Sequence, residues 1–262
     1  MKNHPIYELI HSHKSIRSYE RRQVPPETLQ RILRAASRAS SSGNMQSYSI
    51  IVTTDDSLKQ KLLAPHFYQS MVTDAPVLLT FCADFHRMRK WLELSEAPPN
   101  FDNFMSFMIG AIDAVLASQN AALAAEAEGL GICYMGTTLA SCEVIAKILN
   151  CPENVVPVVG FSLGYPSEDT SPRDRLPLSG IVHFDTYQGY NEKRIDEIHH
   201  EKEISGYKRY MANEELRKLA IEVGAKNLAQ IYTKAKYTRE SHLQYSHSVL
   251  NFLKSQNFMN EI

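Results

Sequence analysis

The chain has 262 residues, 44% hydrophobic and 22% charged, with a formal net charge of −1. This length suits one large domain or a domain with an appendage, and the near-zero charge argues against a polyanion-binding surface, so no nucleic-acid partner is expected. The four cysteines, Cys82, Cys133, Cys142 and Cys151, form no CxxC pair and predict free thiols in a reducing compartment rather than a disulfide framework.

The first fifteen residues hold no apolar leader core, which predicts a cytoplasmic chain. Ile6, Leu9 and Ile10 at helical spacing predict a short helix over Pro5–Ser12. It leads into His13-Lys14-Ser15-Ile16-Arg17, a stretch of imidazole, ammonium, hydroxyl and guanidinium around one aliphatic. A second helix opens at Pro25-Pro26-Glu27 and ends in the donor-rich loop Ser40-Ser41-Ser42-Gly43-Asn44. The β-branched run Ser47–Thr54 predicts a strand, and Asp55 predicts a cap for a helix over Leu58–Leu63. A short helical piece, Gln69–Thr73, precedes the apolar run Val77–Ala83, which predicts a strand buried on both faces.

His86–Asn103 is polar and Pro-rich and reads as loop. Phe104–Glu128 predicts a long helix, apolar almost all round. Asp113, Gln119, Asn120 and Glu126 interrupt it, which suits a core helix and not a membrane span. Gly129-Leu130-Gly131 predicts its stop. A strand over Ile132–Met135, a helix over Ser141–Asn150 and a strand over Val155–Leu163 follow. Arg173 and Arg175 lie in the loop Gly164–Leu176, and Ile181–Asp185 predicts one more strand. From Tyr190 the apolar stripes weaken, and helices are predicted over Glu192–Tyr210, Glu214–Tyr232 and His242–Ser255.

Three motifs invite chemistry and fail on context. Gly129-x-Gly131 has Tyr134 where a dinucleotide fingerprint needs its third glycine, and it follows a helix instead of a strand. Gly160-Phe161-Ser162-Leu163-Gly164 matches a nucleophile elbow, with His183 downstream as a possible base. However, loop residues Tyr165–Asp169 follow where the elbow needs a helix. This leaves a serine hydrolase using Ser162 as a remote alternative. His242 and His247 are five apart, about 140° around a helix, with no third ligand, so no metal site is expected.

The scattered donors instead suit one kind of ligand. Arg17 offers a planar fork and Lys14 a compact charge for a phosphate or a polarised carbonyl. His13 to Arg17 with Arg173 and Arg175 supply basic groups. Ser40–Gln46, Gln69–Met71 and Tyr134–Thr137 add hydroxyls, amides and small residues for a hydroxylated chain and a flat ring. Residue types alone leave open which phosphorylated cofactor this is.

The order of these motifs resembles the nitroreductase/flavin reductase family, in particular its larger NADPH-dependent, oxygen-insensitive branch. The likeness runs from Ile6 to Tyr187 and includes Gln119-Asn120-Ala121, Tyr134-Met135-Gly136, Gly164-Tyr165-Pro166 and Arg175-Leu176-Pro177. It implies an α+β fold: a central sheet flanked by helices, with an FMN-binding domain over residues 1–189 and a helical C-terminal extension of the same domain over 190–262. It also implies a homodimer with FMN at the subunit interface. His13, Lys14, Ser15 and Arg17, with Ile16 among them, would meet the phosphate and ribityl end, as would Arg173 and Arg175. Ser41, Gln69, Ser70, Met71, Tyr134, Met135, Gly136 and Thr137 would line the rest. The implied reaction is ping-pong: NADPH (or NADH) reduces the flavin, and a nitroaromatic, quinone or free flavin then takes the electrons. The flavin does the chemistry, so no dedicated catalytic side chain is implied, though Arg17 could stabilise the reduced ring. Thr137 stands where the family has glycine, and Arg173 where it has lysine. Lys208, Arg209, Lys234, Lys236 and Arg239 are candidates for reading a 2′-phosphate. The competing reading is a flavin-binding sensor or storage protein without turnover.

Overall fold

The computed structural model describes residues 4–260; Met1–Asn3, where the segment read for a leader begins, lie outside the described residues. The chain separates into two compact units, Met1–Pro172 with Tyr245–Ile262, and Arg173–Gln244. The composition change near residue 190 falls inside the second unit, not at its edge.

In the first unit, Pro at the first turn starts both α1 (Pro5–Ser12) and α2 (Pro26–Ala36). Strand β1 (Tyr48–Thr53) is followed by α3 (Asp56–Leu63), whose cap Asp55 accepts from the Leu58 amide at 2.7 Å. Next come α4 (Met71–Asp74), β2 (Val77–Asp84), α5 (His86–Leu94) and α6 (Phe104–Ala127). Strand β3 (Gly131–Tyr134), α7 (Thr137–Ala140), α8 (Cys142–Ile148) and β4 (Val155–Gly164) complete the unit's core elements.

The four strands form one antiparallel sheet in the order β1-β2-β4-β3. Every residue of β2 is buried, as its unbroken apolar run requires. Leu79 and Phe81 pack with Phe161, Leu163 and the alanines of α6 on one face; Leu78 packs with Ile16, Met71, Cys133 and Ile145 on the other. The register slips between Phe81 and Cys82, opposite Pro157, which has no amide hydrogen for the ladder. At the end of α6, Gly129 takes a φ of 76° and the Leu130 amide reaches back to the Ala125 carbonyl at 2.9 Å, a glycine stop.

In the second unit, α9 (Glu192–Ala212), α10 (Glu214–Glu222) and α11 (Leu228–Ile231) gather around Ile198, Ala220, Leu228 and Ile231, all buried. The chain then enters α12 (Arg239–Ser255). Residues from Tyr245 onward belong to the first unit, where Phe252, Leu253 and Phe258 pack with Phe85 and Phe107.

Three expectations need correction. His86–Asn103 is not all loop: α5 forms because Met88 and Leu92 pack inward while Arg87, Lys90 and Glu93 face out, and Asp84 accepts from the Arg87 amide at 3.2 Å. Ile181–Asp185 is not a strand. It follows a 3-10 turn over Leu178–Gly180, and Ile181 and Phe184 stay exposed with no strand beside them. The helix expected over Glu214–Tyr232 is broken. Ala225 bonds back to Ala220 at 2.9 Å, and Asn227 caps a new start by accepting from the Gln230 amide at 2.8 Å.

Candidate functional site

The stretch after α1 is laid along the sheet. Ser15 bridges Ile132, the Ile16 amide donates to the Ile132 carbonyl at 2.9 Å, and Tyr19 bridges Pro166. Ile16 and Tyr19 are the anchors, both buried. The Tyr19 hydroxyl donates to the Ile16 carbonyl at 2.6 Å and pairs with Ser162 Oγ at 2.7 Å, and burial pushes its pKa up. Gly131 permits this approach, because a Cβ there would lie 2.5 Å from Ile16 Cγ1.

Between the anchors, the polar side chains are held on a fixed backbone. Glu168 Oε1 accepts the Arg17 and Ser18 amides at 2.5 and 3.0 Å, so the backbone here already binds a carboxylate. The Arg17 guanidinium itself has no hydrogen-bond or ion-pair partner among the described residues. Lys14 pairs with Asp169 at 2.7 Å. That carboxylate is almost fully exposed, so the pair is weak and the ammonium is easily released to another anion. His13 Nδ1 meets Glu126 Oε1 at 2.6 Å. Burial raises the Glu126 pKa and His13 opposes the rise, while Glu126 Oε2 is buried without a partner.

A second group lies where α4 and α7 begin. His66 is buried, and its Nδ1 is 2.8 Å from Thr137 Oγ1. The Gln69 amide nitrogen donates to the His66 carbonyl at 2.9 Å and reaches Thr137 Oγ1 at 3.5 Å. Burial lowers the His66 pKa to about 4, so the ring is neutral at pH 7. Ser70 starts α4, and Met71 and Met135 are buried beneath. Tyr134 pairs with Ser118 at 3.1 Å and packs edge-on to Phe161. Nothing stands within 4 Å of where a Cβ on Gly136 would be, which leaves its backbone open to a flat group.

The remaining sequence candidates have other hydrogen-bond partners. Ser41 Oγ donates to Asp113 Oδ2 at 2.6 Å and accepts from the Gln46 amide at 2.7 Å; none of its hydrogen bonds reaches the other candidates. Arg173 and Arg175 belong to the second unit. There Arg175 donates to the Arg173 carbonyl at 3.0 Å, and Asp174 between them pairs with Arg209 at 2.8 Å. Ser162 is fully buried mid-strand and paired with Tyr19, so the elbow motif forms no nucleophile.

Sequence reasoning passed over four residues that position these groups: His66, Asp113, Glu126 and Glu168. Asp113 was visible as the only charge before Glu126 in an apolar helix, but its role needed the fold. Its carboxylate gathers the Ser41 hydroxyl and the Ser42 and Ser47 amides at 2.6, 3.0 and 3.2 Å.

A basic stretch held on a fixed backbone, with a guanidinium unpaired among the described residues, is chemistry suited to an anionic ligand, and the open backbone at Gly136 is suited to a flat group. The sequence profile of the nitroreductase family matches residues 10–165, more than half of the chain. The chain is 33% identical over 216 residues to the FMN reductase (NADPH) of Bacillus subtilis, covering 79% of this chain and 84% of that protein. It is 34% identical over 196 residues to the oxygen-insensitive NADPH nitroreductase of Salmonella typhimurium, covering 73% and 78%. The solved NADPH:FMN oxidoreductase of Vibrio harveyi, complexed with NAD+, superposes with a TM-score of 0.78 at 26% identity over 98% of this chain and 100% of that one. This chain belongs to the nitroreductase family, and its fold is the α+β architecture expected from the sequence.

Proposed function

We propose that the protein is an FMN-dependent oxidoreductase that passes electrons from NADPH or NADH to a small acceptor, namely a nitroaromatic, a quinone or a free flavin. The observation that carries this reading is the basic stretch fixed along β3, with the Arg17 guanidinium unpaired among the described residues, in a chain of this family. The donor set fits the cofactor: Lys14, Arg17 and the amides now on Glu168 suit a phosphate or a ring carbonyl, and Ser15 suits the ribityl chain. By the family resemblance, Arg173 and Arg175 are proposed as further cofactor-binding residues. Gln69, Ser70 and Met71, with Tyr134 to Thr137 and Ser41, are proposed to line the ring, where Gly136 leaves room.

Bound FMN would supply the electron transfer itself. This chain's part is to bind, orient and stabilise charge. Arg17 offsets negative charge, and His66, neutral and buried, holds Thr137 and Gln69 in place. The neutral imidazole adds no second cation there.

We further propose a homodimer in a reducing, cytoplasmic compartment. Met105, Ile112, Val115 and Leu116 leave one face of α6 apolar and exposed, and Ile6, Tyr7 and Ile10 do the same on α1. The four thiols are free. Incubation with FMN, desalting and an absorbance spectrum test the function. The expected result is a yellow protein with about one FMN per chain; a colourless protein overturns the reading.

A further inference from the structure

Among the described residues, the non-glycine positions with positive φ are mostly Asn or Asp, which tolerate that region best, with the unbranched polar residues Gln46 and Glu96 beside them. The exceptions are adjacent: Phe67 and Tyr68, both at φ 56°. Their backbone completes the end of α3. The Phe67 amide donates to the Ala64 carbonyl at 2.9 Å and the Tyr68 amide to the Leu63 carbonyl at 2.9 Å, a Schellman pairing that puts Phe67 where helices usually carry glycine. A glycine would form the same turn without strain, yet two bulky rings occupy it.

Burial does not explain them. Phe67 is 50% exposed and Tyr68 74%. The Phe67 ring stacks on Tyr245 at 6.1 Å; the Tyr68 ring makes no hydrogen bond or ring contact among the described residues. Strain held at exposed aromatic residues points to use, not to folding. The turn is also firmly aimed. His66 before it is buried on Thr137, and Gln69 after it donates to the His66 carbonyl, so the turn that carries the two rings is pinned at both ends by residues of the candidate site.

We infer that Phe67 and Tyr68 are specificity-determining residues, forming an aromatic wall that favours flat aromatic electron acceptors over compact ones. This rests on the proposed flavin oxidoreductase reading. For a quinone the balance is NADPH + H⁺ + quinone → NADP⁺ + hydroquinone: two electrons and two protons reach the quinone oxygens as the C=O bonds become C–OH. The wall contributes by stacking the acceptor, so it acts on KM more than on kcat.

The test uses the FMN-loaded protein and its Tyr68→Gly and Tyr68→Phe variants, with 1,4-benzoquinone and ferricyanide as acceptors. Tyr68→Gly is expected to lower the ratio of kcat/KM for benzoquinone to that for ferricyanide about three- to tenfold, mainly through KM, the size of one aromatic contact. Tyr68→Phe should restore the ratio. The melting temperature of Tyr68→Gly should be equal or higher, since glycine relieves the left-handed backbone. An unchanged ratio, a fall in melting temperature of several degrees, or a change in oligomeric mass overturns the inference. A wild-type protein whose flavin NADPH cannot bleach overturns the underlying reading, and this inference with it.

Discussion

Arg17 carries its charge on a backbone that cannot drift, because Ile16 beside it is buried and its own amide is held by Glu168. Replacing it with alanine should leave the fold intact and weaken FMN binding by ~1.5–3 kcal/mol, the range for a hydrogen bond to a charged group. Arg17→Lys should recover part of this, keeping the charge without the planar fork; a fluorescence-quenching titration of FMN measures both. His66 gives a pH signature. The unfolded chain protonates this ring near 6.5, whereas the native state holds it neutral down to about 4. Between those values the unfolded state binds the extra proton, so native stability is full above 6.5 and falls as pH drops toward 4. The loss is on the order of 3 kcal/mol across the window. Urea unfolding at pH 7 and pH 5 should show a steeper decline for wild type than for His66→Gln. At this scale the sequence displayed the donors, Arg17 and Gln69 among them. It hid their supports: a lone histidine after Pro65 and a glutamate in a surface loop carry no local pattern.

At the scale of elements, two contacts tie the site to the sheet and core helix. Asp113 in α6 gathers three donors from the Ser41–Ser47 segment while buried. Asp113→Ala should destabilise the fold by about 3 kcal/mol, because it strands buried donors and leaves a void, and chemical denaturation should detect it. Gly131→Val drives a side chain into Ile16, 2.5 Å from where a Cβ would sit. The expected outcome is weaker FMN binding even where the variant stays folded, since the displaced stretch is the one bearing Arg17. Elements with a strong apolar period were legible: β2, α6 and β4 all formed where the residues placed them. Helix α5 was not, since charges outnumber its two inward residues. The apolar run at Ile181–Asp185 misled for the opposite reason, as a strand needs a neighbouring edge that no local sequence can promise.

At the scale of the whole molecule, the exposed apolar faces of α1 and α6 are the strongest physical reason to expect a second copy. Light scattering should give about twice the 29.7 kDa of one chain. A monomer would leave those faces unexplained. The proposed function requires turnover: the protein should accept electrons at its flavin and give them up again, unlike a sensor or storage protein. An anaerobic titration of the FMN-loaded protein, followed at the flavin absorbance band, tests this most directly. About one equivalent of NADPH per flavin should bleach the band, and about one equivalent of benzoquinone should restore it. A band that persists under excess NADPH, or that bleaches and does not return with quinone, would contradict the account.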